Sequence, residues 1–484
     1  MPASKHLTLF IAITTLLILL AGCGGGNSPT FPPPQGGFTN ANLTGGYVFS
    51  YNGSDAQGFL SVAGSFQADG SGHITSGMED INSGFGISTN ASVTGTYVVR
   101  ADGRGSATLN SSAGNSQIDF VLVASGHALV TRFDSAASGS GTIDQQTASA
   151  FSNAALAGTF GFSLSGIDSV GNPTASAGSF TMDAAGNITA GVDDLNDNGV
   201  IITNHVLTGT TPVAGSGRGT ATLNTAVGTL TLAFYVVDTT HLKFAEIDAG
   251  TALGGEAFRQ TGPFSNASVA GPFAFTIAGA DVLNGPFAAG GVLTSDGAGN
   301  ITTGVEDFND SGILTSNLAL TGTYSLAANG RGTLALTNSA GTFNFVVYPS
   351  TAGVIALEVD NRFVTSGMAL AQQTSAFSNG SFQGNYGLNF TGATAVGELD
   401  SIAEFMADGS SSLTGIVDLN NTGSITFGQA LKGNFSVAAN GRATMALQTP
   451  LGTQNNIVYM VNANRALFVE LDSTVVAVGE VRHQ

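Results

Sequence analysis

Residues 193–199 read Asp-Asp-Leu-Asn-Asp-Asn-Gly, and within them Asp194, Asn196, Asn198 and Gly199 fall at the spacing that opens an EF-hand calcium loop. Carboxylate and amide oxygens at alternate positions before a glycine suit a hard cation. The counterparts elsewhere are Asp80 with Asn82, Asp307 with Asn309 and Asp418 with Asn420, while Glu79, Asp193 and Glu306 add a neighbouring carboxylate. An EF-hand also needs a glutamate at loop position twelve and flanking helices. That position holds Ala91, His205, Leu318 or Gln429, in stretches that alternate as strands do. The motif is not an EF-hand. It predicts a turn in which Asp and Asn bond their own backbone, with a different oxygen-ligand calcium site as the alternative, and no metal site is assigned.

Two further repeated sets carry charge. Arg104, Arg218, Arg331 and Arg442 use four of the thirteen basic residues at one recurring place after a tight turn. A guanidinium there can clamp a ligand carboxylate. The favoured expectation is structural: pairing with an acid of the module, or covering apolar surface with the side-chain stem. Glu246 and Asp248, Glu358 and Asp360, and Glu470 and Asp472 put two carboxylates on one strand face by their two-residue spacing. The first copy has Arg132 and Asp134 instead. A solvated outer face is expected for them, with a polar barrel mouth or a cation chelate as alternatives. His127 and His241 are equivalent, but Gly353 and Arg465 take that place in the other copies, which predicts a surface or turn role. The chain has no H-E-x-x-H, G-x-S-x-G or G-x-x-x-x-G-K stretch. No catalytic residue and no cofactor is assigned, and the chain is not expected to be an enzyme.

The elements that position these residues come in four copies. "FTNANLTGGYVF", "FSNAALAGTFGF", "FSNASVAGPFAF" and "FSNGSFQGNYGL" begin at Phe38, Phe151, Phe264 and Phe377, an even spacing of 113 residues. The copies close on Gln146, Gln260, Gln373 and Gln484, so four complete modules are expected: 38–150, 151–263, 264–376 and 377–484. Modules of this size own a core and are expected to hang as beads. Each shows about eight alternating runs separated by turn residues, such as Asp296-Gly297 and Asn329-Gly330, which suit type I′ hairpins. The fold class expected is all-β, with each module an eight-stranded antiparallel up-and-down barrel that removes exposed edges, or alternatively a β-sandwich. Phrases such as "LTGTY" resemble those of avidin-type barrels. The chain lacks tryptophan, on which avidin-like biotin pockets depend, so biotin is not inferred.

The N-terminus supplies an address. Lys5 and His6 precede an apolar run, Leu9 to Leu20, that is short for a membrane span and fits a signal peptide over residues 1–22. Leu20-Ala21-Gly22-Cys23 resembles the bacterial lipoprotein lipobox. That resemblance implies cleavage before Cys23, lipidation of its thiol and attachment to an envelope membrane, and Gly24 implies the outer one. Residues 23–37 then form a Gly/Pro-rich tether. The chain as a whole resembles repeat lipoproteins of environmental bacteria.

A net charge of −19 argues against nucleic acid as a partner. Cys23 is the only cysteine, so the modules must be held by their cores and not by disulfides. The expected function is a lipid-anchored exported protein whose non-catalytic repeats serve a structural or adhesive role toward a surface polymer or protein. The alternative is a carrier with one pocket per barrel for a small apolar ligand.

Overall fold

The computed structural model describes residues 37–225, 227–373 and 376–484. Cys23, the signal segment and the tether before Gly37 lie outside them. The first copy is a closed antiparallel barrel of eight strands in sequence order: Thr44–Asp55, Gly58–Asp69, His73–Ser83, Gly86–Val99, Arg104–Ser111, Gly114–Ala124, His127–Asp134 and Ala137–Gln145. Its eighth strand pairs back on the first, with Ile143 opposite Phe49, so no edge is left open. The fourth copy closes in the same way over 383–483. In the second and third copies the fourth strand is broken at Leu207 and Leu320, both buried. Their second strands still pair with both the first and the third, so these sheets close too. All four copies are the eight-stranded barrel that the alternating runs predicted.

Strand alternation fills the interiors. In the first strand Tyr47, Phe49 and Tyr51 turn inward to meet Val62, Phe66, Leu109 and Phe120. The interiors are packed with side chains: the apolar cavity within the third barrel holds about 60 Å³, room for roughly two waters. The turns differ from the type I′ expectation. Asp296 Oδ1 accepts from the backbone N–H groups of Ala298 and Asn300 at 2.7 and 2.9 Å, and Gly297 and Gly299, not Asp296, have positive φ. The aspartate thus caps a wider turn.

The barrels do not hang as beads; they form one compact unit. The reason lies on the outward faces of the strands. Val48 is as buried as its inward neighbours, but it packs with Ala63, Ala233, Tyr235 and Val237 across the seam between the first and second barrels. Ala177, Tyr348 and Leu357 belong to the second seam, and Ala288, Val292, Tyr459 and Val469 to the third. A fourth seam joins Ile402 to Val121, Val123 and Leu129, bringing the last barrel against the first. The four barrels therefore close into a ring.

The glycine that follows the repeated arginine has a packing role. Gly105 and Gly219 lie opposite Phe120 and Phe234, whose rings come within 2.3 and 2.1 Å of where a β-carbon would stand. The fourth copy instead places Ala443 opposite Val458. Gly219→Ala should therefore lower stability by about 1–3 kcal/mol through overpacking. In a double-mutant cycle by chemical denaturation, adding Phe234→Val should cost less than the two single losses combined.

Candidate functional site: the clamps between barrels and the charged ring axis

The aspartates of the opening motif lie on the third strand of each barrel, not in a turn, and Asp80, Asp194, Asp307 and Asp418 are at most 1% exposed. Their cation comes from the next barrel. Arg331 donates to Asp194 through Nε at 2.9 Å and Nη2 at 2.6 Å. Arg218 holds Asp80 in the same bidentate fashion, at 2.7 Å through each nitrogen, and Arg442 holds Asp307 at 2.8 and 2.6 Å. Tyr235, Tyr348 and Tyr459 each donate a hydroxyl to the same carboxylate. Burial beside an aspartate pushes these phenols up, so they stay protonated donors. Hydrogen bonding to the aspartates, in turn, holds the three arginines above their ordinary value.

The remaining acceptor position is filled from within the barrel. Asn90, Asn204 and Asn317 donate their backbone N–H to Asp80, Asp194 and Asp307 at 2.9, 2.7 and 2.8 Å. Each sits at a register shift on the fourth strand with φ of 53°, 58° or 60°, the left-handed geometry that asparagine tolerates. The bulge aims the amide at the carboxylate. Charge-assisted bonds of this kind are among the strongest available to a buried anion.

The motif's asparagine makes a second link. Asn196 Nδ2 donates to the carbonyls of Glu358, Asp360 and Phe363 at 2.9, 3.2 and 2.7 Å, tying down the last hairpin of the next barrel. Asn309 and Asn420 do the same to the fourth and first barrels. Closing glutamines form a third link. Gln146, Gln260 and Gln372 donate to Val236, Pro349 and Met460 of the following barrel, and Gln484 donates to Leu122 of the first. In the third copy the linking residue is Gln372 and not Gln373, because Gln372 continues the register of the eighth strand.

The seam that closes the ring is built differently. Arg104 gives Asp418 a single bond at 3.1 Å and turns its Nε to Asp102, while Val121 stands where the other copies have the clamp tyrosine. Carboxyls gather here. Ser138 donates to Asp400 at 2.5 Å, and Glu404 and Asp119 lie near Asp102 and Asp418 respectively. Burial pushes Asp119, Asp400 and Glu404 up to about 7, and Asp418 is raised by the same cause.

The other candidate residues are placed as follows. The Glu/Asp pairs do not form a solvated outer face. Glu246, Glu358 and Glu470 point inside their barrels and are at most 1% exposed, because the seventh strand has both faces covered. Asp248, Asp360 and Asp472 lie beyond that strand and accept backbone N–H groups of Thr231, Asn344 and Asn455. His127 and His241 are not at the surface either. They belong to a charged cluster around the ring axis, where a cavity of about 280 Å³ is lined by Asn52, Ser163, Glu256, Thr276, Met368 and Val478 among others, from all four barrels.

In that axial cluster, fully buried Lys243 bridges Asp144 of the first barrel at 2.9 Å and Glu256 at 3.0 Å. His127 pairs with Asp144 at 2.6 Å, and Arg465 and Arg482 both pair with Glu480. Lys243 and the histidines hold Asp144 well below the usual carboxylate range, and the two arginines lower Glu480 to about 2. Sequence reasoning missed this cluster because the residue type at each repeat position changes from copy to copy, as with His127, His241, Gly353 and Arg465 at one place, and because Lys243 meets Asp144 across two barrels. His241 Nε2 lies 3.4 Å from Glu256 Oε2. Among the described residues, no group of three or more His, Cys, Asp or Glu is arranged to hold a metal ion, and no helix is long and apolar enough to cross a membrane.

Breaking a strong clamp should cost more than breaking the weak one. Arg331→Ala strands Asp194 and Tyr348 in a buried seam and should lose about 3–5 kcal/mol. Arg104→Ala should lose clearly less, by urea denaturation of both variants. The closing seam should also respond to pH. Its carboxyls have folded values near 7, above their unfolded ones, so their contribution is complete below about pH 4 and is lost as pH rises through 7. Asp119→Asn combined with Glu404→Gln should flatten the fall in melting temperature between pH 5 and 8.

No protein-family model and no curated protein matches the chain. Among solved structures it is similar to the isotype 1 transferrin binding protein B of serogroup B Neisseria meningitidis, with 12% identity over 75% of this chain and 85% of that one and a TM-score of 0.20. A protein of unknown function from the DUF3598 family of Nostoc punctiforme aligns at 9% identity over 91% of this chain and 95% of that one, with a TM-score of 0.16. Superposition at this level carries no argument about activity.

Proposed function

We propose that the chain is a non-catalytic display protein, held at a bacterial envelope membrane through lipidated Cys23, whose ring of barrels makes multivalent contact with a surface polymer or protein. The observation that supports this most is the repetition of one barrel-to-barrel contact around a closed ring. Equivalent points related by such a rotation lie at one level, so the third-to-fourth-strand hairpins of all four barrels share a face. Those hairpins expose apolar side chains: Phe85 at 71%, Val200 at 63%, Ile313 at 62% and Ile425 at 39%. Exposed apolar groups repeated on one face suit a binding surface.

The tether supports the same orientation. Phe38 enters the first barrel beside Ala101 and Gly103, in the turn between the fourth and fifth strands. In an up-and-down barrel that turn is at the end opposite the third-to-fourth-strand hairpin. The exposed tips therefore face away from the point where the tether joins. The carrier alternative has less support in the third barrel, whose interior cavity of about 60 Å³ falls well short of the roughly 300 Å³ that a guest-sized pocket needs.

The test is an aggregation and adhesion assay on cells displaying the full chain. Phe85, Val200, Ile313 and Ile425 are each replaced by serine, singly and together; such surface changes alter stability by about 0.5 kcal/mol or less. Single replacements should weaken adhesion about two- to threefold and the fourfold variant more than tenfold, because multivalent contact compounds. Wild-type adhesion by the fourfold variant would remove the proposal.

A further inference from the structure

The first and eighth strands of each barrel turn one face to the ring axis. At one level of that face Ser50 lies opposite Thr142, Ser163 opposite Glu256 and Thr276 opposite Met368. Two residues nearer the exposed hairpins, Asn52 lies opposite Ser140, Ser165 opposite Gly254 and Ala278 opposite Ser366. Toward the first and fourth barrels the polar side chains of this face are engaged. Ser50 and Thr142 accept from Lys243, Ser50 at 3.3 Å. Ser140 donates to the carbonyl of Phe390 at 3.2 Å, and Asn389 donates to that of Gly141 at 3.3 Å.

The polar side chains around the axial cavity are not engaged. Asn52, Ser163, Ser165, Thr276 and Ser366 line it, and among the described residues none of the five makes a hydrogen bond through its side chain. They converge from the first three barrels. The third barrel leaves them unmet: it has Gly353, Ile355 and Met368 where the second has His241, Lys243 and Glu256, so no charged group crosses from it. Gly254 contributes as well, since a β-carbon there would stand 2.1 Å from Asn52 Oδ1. Ser165 is exposed, so the cavity opens to solvent. Its volume of about 280 Å³ equals that of roughly nine waters in the liquid. That is room for a sugar ring with its hydroxyls.

Glu256 is the one charged residue in the lining. Burial opposes its charge, but Lys243 at 3.0 Å and His241 at 3.4 Å hold its carboxyl well below the usual range. The carboxylate is thus balanced from behind and keeps lone pairs for an O–H donor in front. An added anion would meet this carboxylate and an added cation would meet Lys243 behind it. An apolar guest would leave five polar groups dry. We propose that the axial cavity binds one neutral polyol of monosaccharide size. Its hydroxyls donate to Glu256 and to Asn52 Oδ1 and exchange bonds with the four side-chain hydroxyls, while its C–H edges lie against Phe258, Met368 and Val478. Convergent polar groups on a partly apolar wall, at a junction of domains, are the usual form of a small-molecule site. The hairpin tips take no part in it.

The test is isothermal titration of the full chain with D-glucose, D-galactose and D-mannose, each beside its uronate and its protonated 2-amino counterpart as charged controls of the same shape. At least one of the neutral sugars should bind, one per chain, at millimolar concentration, and its two charged counterparts at least tenfold more weakly. Ser163→Ala combined with Ser366→Ala removes two hydroxyls without changing the shape of the wall. This variant should weaken binding at least tenfold while its melting temperature stays near wild type. Ala278→Phe, which fills the cavity, should abolish binding. The variant with serine at all four hairpin tips should bind the sugar as wild type does, so loss of adhesion and loss of sugar binding are told apart. No binding of any neutral sugar, equal binding of the charged counterparts, or unchanged affinity in the double serine variant or in a folded Ala278→Phe variant would each overturn the proposal.

Discussion

A carboxylate removed from water must find its positive charge and its hydrogen bonds within the fold, and Asp80, Asp194 and Asp307 cannot do so inside their own barrels. Each barrel supplies one backbone amide, from the bulge on its fourth strand. The guanidinium and the phenol come from the next barrel. Shifting two barrels against each other by one residue would leave an uncompensated buried charge, a cost of several kcal/mol. The clamps therefore fix how barrels meet. The hydrophobic seams around them supply attraction that is less particular about register.

Repetition of a fixed contact has a geometric consequence. Identical rotations from one barrel to the next either wind into a helix or return to the start. Here they return, because Arg104 of the first barrel reaches Asp418 of the fourth and Gln484 reaches the carbonyl of Leu122. Two barrels distant in sequence thus meet through counterparts of the contacts that join consecutive ones. The closing seam is the least apolar and the richest in carboxyls, and it lacks the clamp tyrosine. The ring consequently has three strong joints and one that is weaker and more sensitive to protons.

The copies diverge where neighbouring barrels do not constrain them. The clamp aspartate and arginine recur in every copy, whereas the mouths run from the ring-filled third barrel to the open fourth, and among the described residues the axial ion pairs come from the first, second and fourth barrels. In the third barrel Ile355 and Met368 stand where the second has Lys243 and Glu256. A residue that must match a neighbour is held by that neighbour; one that faces a cavity is held only by what fills it.

The sequence by itself determined the barrels. Period-two alternation states which side chains face a common interior, turn residues mark where strands reverse, and even spacing counts the copies. It also marked Asp194, Asn196 and Arg331 as repeated, charged and worth explaining. What it did not contain was their pairing. Asp194 and Arg331 are separated by 137 residues, and Arg104 and Asp418 by 314. No local period links such positions, so Asp-x-Asn read as a turn and the arginine as a partner for its own module. The outward Val48 and the inward Glu470 were misjudged for a related reason. Alternation distinguishes two faces of a strand but does not say whether the outer one meets water or another barrel, nor whether a polar residue on the inner face will find a partner. Those outcomes were decided by ring closure and by which side chains fill each mouth.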